Sequence, residues 1–334
     1  MKLGVAVGFE DSIDTIVTVA RDAEAAGAHS VHVVEAARTA VVPAAAVIGA
    51  TERVVVGTYV LNAYAREPWL AGLVGRDLDE LSQGRLVLGI GTGNVHFNQW
   101  YMGIDSSKPI AKLGDYLDIV RAVVAGEAGR PVRYQGDNHQ IRWRATFAPA
   151  RPTVPVLLAA SGPNMIRLAG AHADGVAVGI MASVDFMNDV VKPRAREGAE
   201  QAGRNPEALV FPMGALVSVN ADREQARDAT KAWIAGLFHP VPHPYYDSQL
   251  RQLGYAAFAD QASALMPQGK VRETMDLVPD EVIDTMTITG SPDQCRHRFG
   301  DYEGVADEII AFRVPQPGDP AGPAAYGDLL ALLG

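Results

Sequence analysis

Short runs rich in β-branched and apolar residues recur along this chain, and each is followed by an Ala-rich stretch with apolar residues at helical spacing. Periods of two and 3.6 in strict alternation mark βα units and a parallel sheet. Strands are predicted over 3–9, 30–36, 54–62, 86–92, 154–160, 175–181, 209–219 and 308–313. Helices are predicted between them over 13–26, 41–50, 68–82, 109–125, 164–172, 184–202, 222–237 and 292–302. Eight such units predict an α/β chain folded as a (β/α)8 TIM barrel rather than an open doubly wound sheet.

The joints agree with this reading. Asp11 and Ser12 are both good N-caps for the first helix, and Gly27 suits a left-handed cap at its end. Two connections exceed the usual length and predict insertions after strands 4 and 7. The first runs from Gly91 to Pro109, with a small hairpin expected later at 132–134 and 140–142. The second, about 238–280, carries His239, His243, Tyr245 and Tyr246 among prolines and then two helical stretches, which suits an ordered lid. The whole of 1–334 reads as one domain, with 314–323 a surface extension.

Composition excludes several function classes. With 29 basic and 39 acidic residues the net charge is −10, and no basic run offsets it, which argues against nucleic-acid binding. No apolar run is long enough to span a bilayer, and the N-terminus lacks the pattern of a signal peptide. One cysteine, Cys295, closes no intrachain disulfide and fits a reducing cytoplasm, where it reads as a partly buried apolar residue. His239 and His243 are four apart, but the prolines at 240, 242 and 244 forbid the helix that would pair them as ligands, so no metal is expected.

Three stretches carry chemistry. Residues 78–94 read LDELSQGRLVLGIGTGN across the end of the fourth strand. Gly91 and Gly93, lacking Cβ atoms, suit either close approach to a flat ring or a tight turn. Residues 158–164 read LAASGPN and open a helix directly after the fifth strand. Its free N–H groups suit an anion such as a phosphate, or an ordinary cap with Ser161 as the capping residue. Residues 62–68 read NAYAREP at the end of the third strand.

Together, in this order and spacing, these blocks resemble the luciferase-like flavin and deazaflavin oxidoreductases, whose hallmark is LDELSGGRxxLGxGxG. The third is similar to the NPYTRHP segment of members that use coenzyme F420, and the overall pattern is closest to the methylenetetrahydromethanopterin reductase type. The resemblance implies a TIM barrel and a homodimer formed through the second and third helices. It also implies cofactor contacts from Tyr59, Val60, Leu61, Asn62, Gly91, Thr92, Gly93, Asn94, Ala160, Ser161, Gly162, Pro163 and Asn164. A non-proline cis peptide is expected at Tyr59–Val60.

Two residues are candidate proton handlers. Glu35 ends the second strand on the catalytic face of a barrel, where it serves the ring or substrate or else pairs with Arg38 or Arg66. His96 follows the GTGN turn, and a histidine there delivers a proton at neutral pH unless it merely faces solvent. Sugar-phosphate dehydrogenases of the resembled family carry a His after the acid and a Glu after the turn. This chain has Ala36 and Asn94, which argues against glucose 6-phosphate. The implied activity is hydride transfer between F420 and a small substrate bearing a C=N, C=C or C=O bond. An FMN-dependent monooxygenase is the alternative, and a non-catalytic flavin-binding protein a third reading.

Overall fold

The computed structural model describes residues 1–333, so Gly334 of the expected domain lies outside the described residues. Its strands are β1 Lys2–Val7, β2 Ser30–Val33, β3 Val55–Thr58, β4 Leu61–Asn62, β5 Leu86–Gly91, β6 Pro131–Gln135, β7 Gln140–Arg144, β8 Val156–Ala159, β9 Gly175–Ala177, β10 Pro212–Val219, β11 Ile288–Gly290 and β12 Glu308–Arg313. The helices α1 Ile13–Ala25, α2 Val41–Ala50, α3 Pro68–Leu81, α4 Val95–Met102, α5 Pro109–Val124, α6 Pro163–His172, α7 Lys192–Gln201 and α8 Arg223–Gly236 lie between strands. After α8 come α9 Pro244–Gln252, α10 Ala256–Leu265, α11 Val271–Asp276, α12 Asp280–Met286 and α13 Pro292–Gly300.

The large sheet is parallel and curled, in the order β11-β10-β12-β1-β2-β3-β5-β8-β9, with β4 on β5. Bridges from Gly175 to Val210 and from Val178 to Met213 bring β9 back against β10, an α/β arrangement consistent with a TIM barrel. Side-chain alternation divides the core in two. Val5, Val7, Val31, Val33 and Val56 face the helices, whereas Ala6, Tyr59, Leu157, Ala177, Leu216, Ile310 and Phe312 pack inside the curl. Among the described residues no helix is long and apolar enough to cross a membrane.

Several expectations are adjusted by the tertiary structure. Ser12 caps α1, accepting from Thr15 N at 3.1 Å, and Gly27 follows it at φ 90°. The single strand predicted at 54–62 is broken at the cis Tyr59–Val60 bond into β3 and β4. The expected helix over 184–202 divides into a π-helical turn, Phe186–Val191, and α7. The hairpin appears as β6 and β7, antiparallel.

Beyond the GTGN turn lies a helix the periodicity did not predict, α4, capped by Asn94 and stopped by Gly103 at φ 67°. Its Phe97, Trp100, Tyr101 and Met102 are exposed, so it carries no apolar stripe to read. The segment 238–280 holds three helices, α9 to α11, rather than two, separated by Gly254 and Gly269 at positive φ, and α12 follows Pro279. Cys295 is wholly rather than partly buried, and burial pushes its thiol up to about 12.

Candidate active site

In a parallel sheet the strands' carboxyl ends converge on one face, leaving backbone and loop side chains free for ligands. Here that face gathers Phe9 after β1, Glu35 after β2, the Tyr59–Asn62 segment, Thr92 after β5 and Met181 after β9. Helix α9 is fastened to it. The Tyr245 hydroxyl lies 2.5 Å from Thr92 Oγ1, and Gln249 Nε2 donates to the Met181 carbonyl at 2.5 Å.

Glu35 is engaged on both oxygens. Arg66 donates to it in bidentate fashion at 2.7 and 2.9 Å, and the N–H groups of Asn62 and Ala40 donate at 2.8 and 3.0 Å. Burial opposes its ionisation, but the Arg66 guanidinium and the two N–H groups outweigh it and hold the carboxyl below its ordinary range. Of the two roles expected for Glu35, pairing with Arg66 is the one the geometry furnishes.

Asn62 is the next link. Its Nδ2 donates to Asn98 Oδ1 at 2.7 Å, and its Oδ1 accepts from Tyr64 N at 2.9 Å. Asn98 is wholly buried on α4 and donates in turn to the Thr92 carbonyl and to Ser106 Oγ. Asn98 went unnoticed in the sequence because nothing there foretold α4. Asn94 spends its side chain as the α4 cap, accepting from His96 N at 2.8 Å.

The glycines make room first for protein. A Cβ on Gly91 would stand 2.5 Å from Val60 Cγ2, and one on Gly93, at φ 63°, would stand 2.5 Å from Asn62 Nδ2. Val60 therefore fills the space beside Gly91. Leu61 points into the core between sheet and helices. Tyr59 crosses the interior of the curl, its hydroxyl donating to the Val178 carbonyl and accepting from Gly214 N.

An aromatic ladder descends from the mouth. Phe9, 38% exposed, meets Phe312 edge-on at 5.9 Å, Phe312 meets Tyr59 at 5.7 Å, and Tyr59 meets His32 at 5.6 Å. His32 is wholly buried, and burial lowers its pKa to about 3, so it is neutral. Glu308 lies 4.0 Å away, bonded to Ser30 and raised by burial. Both side chains occupy the inward register of their strands, a position legible from period-two counting once the strand is known.

His96 stacks on Trp100 at 5.4 Å. The sequence placed His243 on the lid, where it packs on Tyr246 at 4.6 Å; burial, reinforced by nearby His96, lowers its pKa to about 4. Tyr245 and Tyr246 are both raised by burial, Tyr246 to about 12.

At the start of α6, Gly162 rather than Ser161 is the capping residue, and it supplies no side-chain bond. Pro163 follows at the first position, and nothing lies within 4 Å of where a Gly162 Cβ would be. Ala160 is buried at the end of β8, while Pro163 and Asn164 are exposed. The uncapped N–H groups of this first turn and the open space before them fit an anionic group such as a cofactor phosphate. A separate cavity of about 370 Å³ opens among α8, α12 and α13, but there Asp284 pairs with Arg227 and Asp293 with Arg296.

The chain is 29% identical over 278 residues to a 5,10-methylenetetrahydromethanopterin reductase of Archaeoglobus fulgidus, covering 82% of this chain and 79% of that one. It is 31% identical over 294 residues to an F420-dependent glucose-6-phosphate dehydrogenase of Nakamurella multipartita, covering 85% and 80%. The solved F420-dependent tetrahydromethanopterin reductase from Methanopyrus kandleri superposes with a TM-score of 0.79 at 22% identity, over 99% and 97% of the two chains. The family model described as luciferase-like monooxygenase matches residues 1–308, and the chain belongs to that family.

Proposed function

We propose that this chain is an F420-dependent oxidoreductase that exchanges a hydride between the deazaflavin C5 and a small organic substrate with a C=N, C=C or C=O bond. One observation carries the reading: an uncapped, open helix start at Gly162 borders a strand-end mouth lined by aromatic rings. The first suits a cofactor phosphate and the second a flat ring. The F420 dependence of the Nakamurella relative supports the choice of cofactor. FMN is the alternative, favoured by the activity for which the family is described.

When bound, the deazaflavin supplies the hydride chemistry. The α6 first turn, at Gly162, Pro163 and Asn164 with Ala160 and Ser161 before it, holds the phosphate. The turn from Gly91 to Asn94, braced by Val60 and Asn62, borders the ring, with the backbone of Tyr59 and Leu61 continuing that border. Glu35 acts as a positioning residue, fixing Asn62 and Arg66. His96 faces the mouth beside His243. The lid excludes water, which strengthens every polar interaction beneath it.

We read the curled sheet as a closed (β/α)8 barrel in one domain, 1–334, with insertions after the fourth and seventh barrel strands. The second insertion, about 238–280, is the lid. Exposed Val42, Trp69 and Leu70 on α2 and α3 support a homodimer through those helices, and the lone cysteine supports a reducing cytoplasm.

Equilibrium titration of the protein with F420 and with FMN tests the assignment. Binding of F420 at micromolar concentration or tighter, with FMN far weaker, is expected. The reverse preference overturns it and redirects the search to oxygen consumption.

A further inference from the structure

Reduction of a C=N or C=O bond needs a proton donor as well as a hydride; Glu35, Asn94 and His243 are committed, and the His96 ring is stacked on Trp100. The Glu35 carboxylate is held ionised by Arg66. Asn94 caps α4, and His243, with its pKa lowered to about 4, carries no proton to give at neutral pH.

Tyr245 is differently placed. It stands on the first turn of α9, part-exposed, with its hydroxyl 2.5 Å from Thr92 Oγ1 in the turn that ends β5. Either oxygen can donate in that contact, and when the Thr92 hydroxyl donates to Tyr245 the single phenolic hydrogen is left without a partner. That hydrogen is then available at the strand end, beside the glycine turn. Burial keeps the phenol protonated above its ordinary range.

The surroundings also speak to the substrate. Phe9, 38% exposed and packed edge-on against Phe312, offers apolar surface. The Arg66 guanidinium is neutralised by Glu35, and the Lys112 ammonium lies over the Tyr64 ring at 4.4 Å. An anionic substrate would find the Arg66 guanidinium already paired.

We propose that Tyr245, seated on Thr92, donates the proton to the oxygen of a neutral, apolar carbonyl substrate, a ketone or an enone. This rests on the hydride-transfer reading. In the reducing direction the carbonyl carbon, or the β-carbon of an enone, takes a hydride with its two electrons from the reduced deazaflavin. The displaced π pair moves onto oxygen, which takes the Tyr245 proton. The resulting phenolate is held by the Thr92 hydroxyl until a solvent proton restores the phenol. The products are the oxidised deazaflavin and a secondary alcohol, or from an enone the enol that becomes the saturated ketone.

The test uses protein loaded with oxidised F420, which binds a ketone without turning it over. Cyclohexanone and 2-cyclohexen-1-one are titrated against wild type, Tyr245→Phe, Thr92→Val and Thr92→Ser, with binding read by ligand-observed NMR and F420 affinity measured separately. Tyr245→Phe is expected to weaken ketone binding about tenfold, with F420 affinity within about twofold of wild type, because one hydrogen bond to the ketone is lost. Thr92→Val shares part of that loss and Thr92→Ser restores it. With reduced F420, Tyr245→Phe lowers kcat about a hundredfold, the scale of a lost general acid. Equal ketone binding by wild type and Tyr245→Phe, or no ketone binding by wild type, overturns the proposal. Refusal of F420 by the wild type strikes the hydride-transfer reading instead, and the same ketone titration, run also without cofactor, still reads Tyr245.

Discussion

Arg66 grips both carboxylate oxygens of Glu35, at 2.7 and 2.9 Å, with each side chain about nine-tenths buried. The pair joins the end of β2 to the segment after β4. Through Asn62 it reaches α4 and the glycine turn, so one ion pair sets the relative position of three strand ends.

Glu35→Gln is expected to destabilise the protein by about 3 kcal/mol, because it leaves a buried guanidinium without its counter-charge. The depressed Glu35 pKa makes this contribution complete above the ordinary carboxylate value and lost as pH falls through the folded-state value. Urea midpoints of wild type and variant should therefore differ at pH 7 and converge below pH 4.5, the ordinary carboxyl value. A gap that persists in acid would assign the loss to packing.

His32 is held neutral, with its pKa lowered from 6.5 to about 3. The unfolded chain binds this proton first, so the residue costs stability as pH falls below 6.5. Glu308, raised by burial, contributes the opposite slope. His32→Leu should lose less stability than wild type between pH 7 and pH 5 in urea unfolding. An unchanged slope would show that the imidazole titrates freely.

Gly91→Ala must displace Val60, whose Cγ2 lies 2.5 Å from the new methyl, while Ala159 Cβ lies 3.1 Å from it. Overpacking of this kind costs about 1–3 kcal/mol. Because Val60 borders the proposed ring site, calorimetry should show weakened F420 binding along with a lowered Tm. Intact F420 affinity would remove Val60 from that site.

Gly162→Asp separates a cap from an anion site. The position has ordinary extended backbone angles, φ −83° and ψ 147°, and open space for a side chain. A capping carboxylate should raise stability by a few tenths of a kcal/mol. The same charge should repel the cofactor phosphate and weaken F420 binding at least tenfold. Unimpaired binding would place the phosphate elsewhere.

Arg76 is 2% exposed and donates to the carbonyls of Val123, Val124, Gly126 and Phe147, with its guanidinium over the Phe147 ring at 4.6 Å. Arg76→Met should cost about 3 kcal/mol by leaving buried carbonyls without donors. Limited proteolysis of the variant should then cleave first within 126–153. Resistance equal to wild type would show that the hairpin is anchored by other contacts.

The order of strands and helices was legible along the chain because it rests on local periodicity. Burial of alternate or every third to fourth residue leaves its mark on each segment separately. The cap at Ser12, the β6–β7 hairpin and the cis Tyr59–Val60 bond were all anticipated, the last through resemblance. Helix α4 was not, because its aromatic residues face outward and give no stripe.

The site divides along the same line. Residue types and their strand-end positions follow from sequence, since a parallel sheet delivers every carboxyl end to one face. Which partner each side chain takes does not. Glu35 and Arg66 are 31 residues apart, and Thr92 and Tyr245 are 153 apart. A carboxylate at a strand end is equally compatible with catalysis and with an ion pair until the fold supplies or withholds the guanidinium. Hydrogen-bond partnership depends on fractions of an ångström between distant segments, and such distances exist only once the sheet has curled and α9 has packed against its strand ends.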